Sequence, residues 1–288
     1  MKRPFENHRT PVYQGASMKP HLAIAVGVGL ALANPALAQR MGSEWPERDA
    51  LEHFLREARV THREKIGEGV TNPEKVTLEL EGVTRNAIFK KVDSDHDSWR
   101  HEVAAYELDK VLGLGMVPPT VPRSIKGRKG CLQLWVTGTV MSKWDQPFTD
   151  LEGWREQVSV MWLFDDLIAN IDRHLNNAMV SADQSLMLID NSKTFRYQKT
   201  LLNGLNGSGT GTHAKFWNVA YDAARDHYET HYPSFLVERL RQVTDKEIDQ
   251  ALKPYIWGRN RELVLDRRKT ILEKLGELGV VAQRPDGR

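Results

Sequence analysis

Asp172-Arg-His-Leu-Asn-Asn177, followed by Leu186-Met-Leu-Ile-Asp190, is the stretch from which the fold can be read. It follows an apolar-rich run from Asp150 to Ala169 in which Trp154, Val158, Met161, Trp162, Phe164, Leu167 and Ile168 recur at helical spacing, so a long packed helix is predicted there. Ala178–Ser181 and Leu186–Ile189 then read as two short strands joined by a turn at Ala182-Asp-Gln184. A buried helix that stops at a polar run and feeds a two-strand hairpin would bring Asp172, Asn177 and Asp190 into one cleft.

Upstream, Glu44 to His62 has the spacing of a helix with Ser43 as its cap. Lys65 to Lys75 is a Gly/Thr/Pro loop, Val76–Leu80 alternates as a strand, Glu81-Gly82 turns the chain, and Asn86–Val92 is the returning strand. His101–Leu112 is an amphipathic helix closed by Gly113 and Gly115. Two short extended segments, Val117–Val121 and Leu132–Val136, flank a basic turn at Lys126–Gly130. Residues 201–213 read as a loop, and the chain beyond about 214 reads as helical.

Phosphoryl transfer from a nucleotide needs an aspartate near the acceptor hydroxyl, an Asn/Asp pair of oxygen ligands for a divalent metal, and a strand lysine for phosphate oxygens. Lys90, Glu102, Asp172, Asn177 and Asp190 supply these in order. On a strand only one of Lys90 and Lys91 can face the cleft. Lys90 is favoured, with Ile88 on the same face where an adenine would lie, and Lys91 remains the alternative. Glu102 could equally be a first-turn acid favoured by the helix dipole, and Glu107 is a second candidate partner.

The five-residue step from Asp172 to Asn177, with Asp190 downstream, resembles the catalytic and metal loops of the protein-kinase-like superfamily. The Asp-Arg-His order is similar to that of phosphoinositide lipid kinases and of the secreted Golgi casein kinase family. Glu102-Val-Ala-Ala-Tyr-Glu-Leu-Asp-Lys-Val-Leu112 with Val117-Pro-Pro119 resembles the latter, as in its uncharacterised bacterial relatives. The likeness covers about residues 65–195. It implies an α+β, two-lobed fold: a small antiparallel β lobe with one helix over 65–140, and a larger helical lobe over 141–288 holding the catalytic and metal loops. Residues 39–64 would be an N-terminal helix and linker.

The resemblance also implies roles. Lys90 would hold the α/β-phosphates and pair with Glu102, Asp172 would orient or deprotonate the acceptor, and His174 would assist it. Asn177 and Asp190 would bind Mg²⁺ or Mn²⁺, while Gly67, Gly69 and Thr71 would offer donors to the phosphates of ATP. Asp190-Asn-Ser192 departs from the Asp-Phe-Gly of protein kinases, and the glycine loop is only Gly-x-Gly. The expected activity is an exported ATP- and metal-dependent kinase, a phosphotransferase acting on a hydroxyl acceptor: protein, lipid, sugar or small molecule. Transfer of a nucleotidyl group, a non-catalytic nucleotide-binding pseudokinase, and work inside the cell remain alternatives.

Met18-Lys-Pro-His21, an apolar run to Ala33 and Ala36-Leu-Ala38 have the three parts of a secretory signal cleaved after Ala38. Residues 1–17 would then precede the true start, and the mature protein would be periplasmic or secreted, with no stable membrane span. An uncleaved anchor is the lesser alternative. The 288 residues are 40% hydrophobic and 27% charged with a net charge of +2, a globular profile. Lys2, Arg3, Arg9 and Lys19 against Glu6 put more than that surplus into the signal segment, so no nucleic-acid partner is expected. The single cysteine, Cys131, excludes an intrachain disulfide. Gly207-Ser-Gly-Thr-Gly211 lacks a preceding strand and a trailing Lys, and reads as a linker. His227 and His231 lack the metal-protease order. Arg261, Arg267, Arg268 and Lys269 read as a solvated face, and Trp135 and Trp162 as core.

Overall fold

The computed structural model describes residues 45, 47–66, 72–202, 205 and 232–277. The segment expected to be a secretory signal, Gly67, Gly69, Thr71, the Gly207–Gly211 run and the His227/His231 pair lie outside the described residues.

Helix α1 (Arg48–Glu57) leads into an antiparallel sheet of β1 (Arg59–Lys65), β2 (Glu74–Leu80), β3 (Val83–Lys90), β4 (Thr120–Ile125) and β5 (Arg128–Leu134), in the order β1-β2-β3-β5-β4. The helix expected over 44–62 is therefore shorter. Ala58 turns to ψ 141°, and the Arg123 guanidinium donates to the carbonyl oxygens of Leu55 and Ala58, 2.8 Å each, at the helix end. Beyond it Val60 and Thr61, β-branched, favour the pleated edge strand. The sheet thus has two helical neighbours, α1 and α2 (Trp99–Leu112), where one was expected.

The two extended segments also shift. Pro118 and Pro119 have no amide to give a ladder, so β4 begins at Thr120. The basic turn narrows to Lys126-Gly127, whose φ values of 50° and 75° suit a two-residue hairpin and let β5 start at Arg128. Trp135, expected in the core, lies just past β5 and is 40% exposed, with the Lys75 ammonium 4.8 Å from its ring centroid.

Helix α3 (Leu151–Ile168) is capped by the Asp150 carboxylate, which accepts from the Gly153 amide at 2.9 Å. It packs with a small sheet of β6 (Thr139–Val140), β7 (Ala178–Val180) and β8 (Leu186–Leu188), and with α4 (Ser234–Gln242), α5 (Asp245–Leu252) and α6 (Gly258–Glu277). Arg267 corrects the expected solvated face of α6. Helical spacing sets it beside Val264 and Ile271, it is fully buried, and its Nε donates to Leu167 O at 2.9 Å.

Among the described residues the apolar core falls into two large clusters and a small one. Phe54 and Leu55 of α1 meet Val76, Leu78, Ala87, Phe89 and Leu132 of the sheet. The larger cluster joins Trp162 and Phe164 of α3 to Leu108 of α2, Leu188 of β8 and Ile271 of α6. Each buried Val, Leu, Ile or Phe among them contributes about 1.5–3 kcal/mol. Helix α2 belongs to the large cluster at its C-terminal half, while Trp99 and Val103 near its start pack on Cys131 of β5. That placement suspends the first turn of α2 over the end of β3.

Candidate active site

The period-two alternation of β3 buries Ala87 and Phe89 in the core and turns Ile88 and Lys90 to the other face. Ser98 caps α2, its hydroxyl accepting from the Arg100 amide at 3.1 Å, which fixes Glu102 in the first turn, fully buried. Lys90 Nζ is 2.5 Å from Glu102 Oε1 and 3.4 Å from Asp190 Oδ1. The two alternatives fall elsewhere. Lys91 pairs with Glu74 at 2.7 Å and Glu107 with Lys110 at 2.9 Å.

Asp190 reaches this cluster through the hairpin. Ala178 pairs with Leu188, and the Ile189 amide donates to Asn177 O at 3.1 Å, so Asn177 and Asp190 leave the same end of the ladder. Asp190 then adopts a left-handed φ of 56°, a conformation that aspartate tolerates better than most residues. The Asn191 amide donates to Glu102 Oε2 at 3.0 Å, and the amide of Ser98 donates to Ser192 O at 3.1 Å, seating the acidic loop on the start of α2.

The loop before the hairpin is built by residues that motif reading passed over. Asp165, in the last turn of α3, and Arg173 are both fully buried and paired at 3.0 Å. The guanidinium also donates to Asn177 O, to Ile189 O at 2.9 Å and to Asn191 Oδ1 at 2.6 Å. Asn170 Oδ1 accepts from the Asp172 amide at 3.0 Å, and Asn177 Nδ2 donates to Asp172 O at 2.9 Å. Lys193 Nζ donates to Asp172 Oδ2 at 2.9 Å. The sequence signal for Arg173 and Lys193 was their position inside the two polar runs; nothing local said where they would point. His174 stands apart from the ion pairs, its Nδ1 accepting from the Asn176 amide at 3.2 Å at the start of a short 3-10 turn over Leu175–Asn177.

Burial works against the Lys90 ammonium, but the carboxylates of Glu102 and Asp190 outweigh it and its pKa is raised. Lys90 in turn holds the Asp190 carboxyl below the usual carboxylate range. Burial pushes Glu102 upward against Lys90 and the Asn191 amide. With the ammonium in contact with both carboxylates, we take Lys90 as charged and Asp190 as ionised at neutral pH.

The donor set suits a hard divalent cation. Asn177 has its Nδ2 engaged, which leaves its side-chain carbonyl oxygen as an acceptor with no hydrogen-bond partner among the described residues, and Asp190 is a carboxylate 46% exposed at its side chain. Among the described residues there is no group of three or more His, Cys, Asp or Glu that could hold a metal. Two protein oxygens with the remaining positions left to water and phosphate is the usual way Mg²⁺ is held beside a nucleotide.

A mixed chain of helices and antiparallel sheet carrying a buried lysine–glutamate pair beside an Asn/Asp pair is the class that fold and site define. No protein-family model matches the sequence, and no curated protein does so significantly. Among solved structures, the chain is similar to hydra Fam20 determined with sugar, at 16% identity and a TM-score of 0.49, covering 81% of this chain and 90% of that one. It is also similar to the Helicobacter pylori proinflammatory kinase CtkA, at 14% identity and a TM-score of 0.45, covering 78% and 98%. Roles for individual residues rest on the geometry above. Among the described residues no helix is long and apolar enough to cross a membrane.

Proposed function

We propose that the chain is an exported ATP- and divalent-metal-dependent phosphotransferase of two-lobed, protein-kinase-like design acting on a hydroxyl acceptor. The observation that carries this reading is the contact of Lys90 with Glu102 and Asp190, three ionisable groups from β3, α2 and the loop after β8. In this reading the five-stranded sheet with α1 and α2 forms the nucleotide side and α3 to α6 with the hairpin form the acceptor side.

Lys90, steadied by Glu102, would take α/β-phosphate oxygens, with Gly67, Gly69 and Thr71 giving further donors. Asn177 and Asp190 would hold Mg²⁺ or Mn²⁺, which supplies charge neutralisation on the phosphates. Asp172 would orient the acceptor hydroxyl and receive its proton as the oxygen attacks the γ-phosphorus in line. The new O–P bond forms while the bond from the γ-phosphorus to the β,γ-bridging oxygen breaks, releasing ADP. His174, with Nδ1 engaged, would use Nε2 toward the acceptor.

The test is thermal shift with ATP plus Mg²⁺ or Mn²⁺ on wild type and Asp190→Ala. Stabilisation of the wild type that is lost in the variant is expected; no stabilisation of the wild type overturns the reading. Label should transfer from γ-labelled but not α-labelled ATP, and should vanish in Asp172→Ala. Transfer of α-label would make the protein a nucleotidyl transferase instead. N-terminal sequencing of the exported chain should begin at Gln39.

A further inference from the structure

Lys193 follows the acidic loop and belongs to none of the motifs. Its Nζ lies 2.9 Å from Asp172 Oδ2, with the two side chains 41% and 31% exposed. Hydrogen bonding to Asp172 raises its pKa, and Asp97 and Asp190 also act on the ammonium. An ion pair this open to water contributes little to stability, so fold maintenance does not account for it. Electrostatics give it a purpose. Lys90 contacts Glu102 and Asp190, whereas the cation on the Asp172 carboxylate is Lys193. A phosphoryl group in transfer beside Asp172 would meet that carboxylate's charge unless a cation offset it.

The contact is also selective between the two oxygens of Asp172. Oδ2 is occupied by Lys193, whereas among the described residues Oδ1 has no hydrogen-bond partner. One carboxylate oxygen is therefore pinned and the other is presented. Asp172 is held at its backbone by Asn170 and Asn177, so Lys193 completes its fixation at the side chain.

Resting on the phosphotransferase reading, we infer that Lys193 is the positioning residue for Asp172: it fixes Oδ2 so that Oδ1 meets the acceptor hydroxyl, and it offsets the carboxylate charge beside the transferring phosphoryl group. The proton and bond changes are those of the parent reaction: hydroxyl proton to Oδ1, oxygen to γ-phosphorus, ADP departing. Lys193 itself exchanges no proton.

The test measures phosphate released from γ-labelled ATP with Mn²⁺, water serving as acceptor, in wild type, Lys193→Met, Lys193→Arg, Asp172→Asn and the Lys193→Met/Asp172→Asn double variant. Lys193→Met is expected to lower kcat by about tenfold to a hundredfold. Its KM for ATP and its ATP-induced thermal shift should stay within about twofold of wild type. Lys193→Arg should restore most of the rate, and the double variant should be no slower than Asp172→Asn alone, because the lysine acts through that carboxylate. Wild-type kcat in Lys193→Met overturns the inference, as does a joint loss of melting temperature and nucleotide affinity, which would make the role structural. A wild type that neither binds nor turns over ATP overturns the phosphotransferase reading and this one with it. A wild type that turns ATP over while the lysine variants match it removes Lys193 alone.

Discussion

Arg173 is wholly enclosed, yet all five of its N–H groups have acceptors: Asp165, Asn191 and the carbonyls of Asn177 and Ile189. It joins the last turn of α3 to both strands at the open end of the hairpin, and so sets the separation of Asp172, Asn177 and Asp190. Arg173→Met would leave the Asp165 carboxylate buried with no counter-charge, at a cost of about 3–5 kcal/mol. For a chain of this size that corresponds to a fall in Tm on the order of 10 °C. Thermal denaturation should show it, and the Asp165→Leu/Arg173→Met double variant should recover part of the loss, since a buried pair replaced by apolar groups is often close to neutral. In the sequence Arg173 is one letter of a polar run. Its importance comes from burial, which neither spacing nor residue type discloses.

At the scale of elements, β3 is held to β5 by a close approach at Gly130. A Cβ there would stand 2.7 Å from Phe89 Cε2 and nearer still to the Lys90 carbonyl oxygen. Gly130→Ala should therefore push β3 away, costing about 1–3 kcal/mol and displacing Lys90 from Glu102. The expected readout is a lower melting temperature together with a smaller ATP-induced shift than in wild type. Strand β3 was legible because its alternation ends in a lysine, and α2 because its periodicity runs to Gly113, although its start at Trp99, capped by Ser98, lies two residues before the expected His101. Strand β1 was not. Phe54, Leu55, Ala58 and Val60 continue a helical pattern, and the break after Glu57 depends on Arg123, 65 positions beyond the Ala58 carbonyl it binds.

Across the whole molecule, α2 ties the sheet to the large core, and His101 is one of its links. The ring contacts Ser192 O at 2.9 Å and meets Phe195 edge-on. Burial lowers its pKa from 6.5; the Ser192 carbonyl opposes that, Arg196 reinforces it, and Asp93 and Asp97 oppose it. Above pH 6.5 folded and unfolded chains both leave it neutral, and its contribution to stability is intact. As pH falls the unfolded chain takes the proton first, so that contribution is lost toward the depressed folded value, at up to about 1.4 kcal/mol per pH unit. Asp109 has the opposite sign. Burial pushes it up to about 6 from 3.8, despite amides from Gly115, Met116 and Val117, so its contribution is full below 3.8 and gone above about 6. Urea unfolding between pH 7 and 6 should show stability falling in wild type and a flatter profile in His101→Asn. By itself the sequence determined the local features, namely the Gly113 cap of α2, the Glu81-Gly82 turn, the Asp172 to Asn177 step and the lysine at the end of a strand, because each depends on residues within a few positions of one another. Only the tertiary structure decided that Lys90 rather than Lys91 meets Glu102, that Asp190 arrives from 100 positions away, and that Lys193 closes on Asp172. Those contacts follow from side-chain direction and from chain closure around the buried clusters, and residue order does not encode either locally.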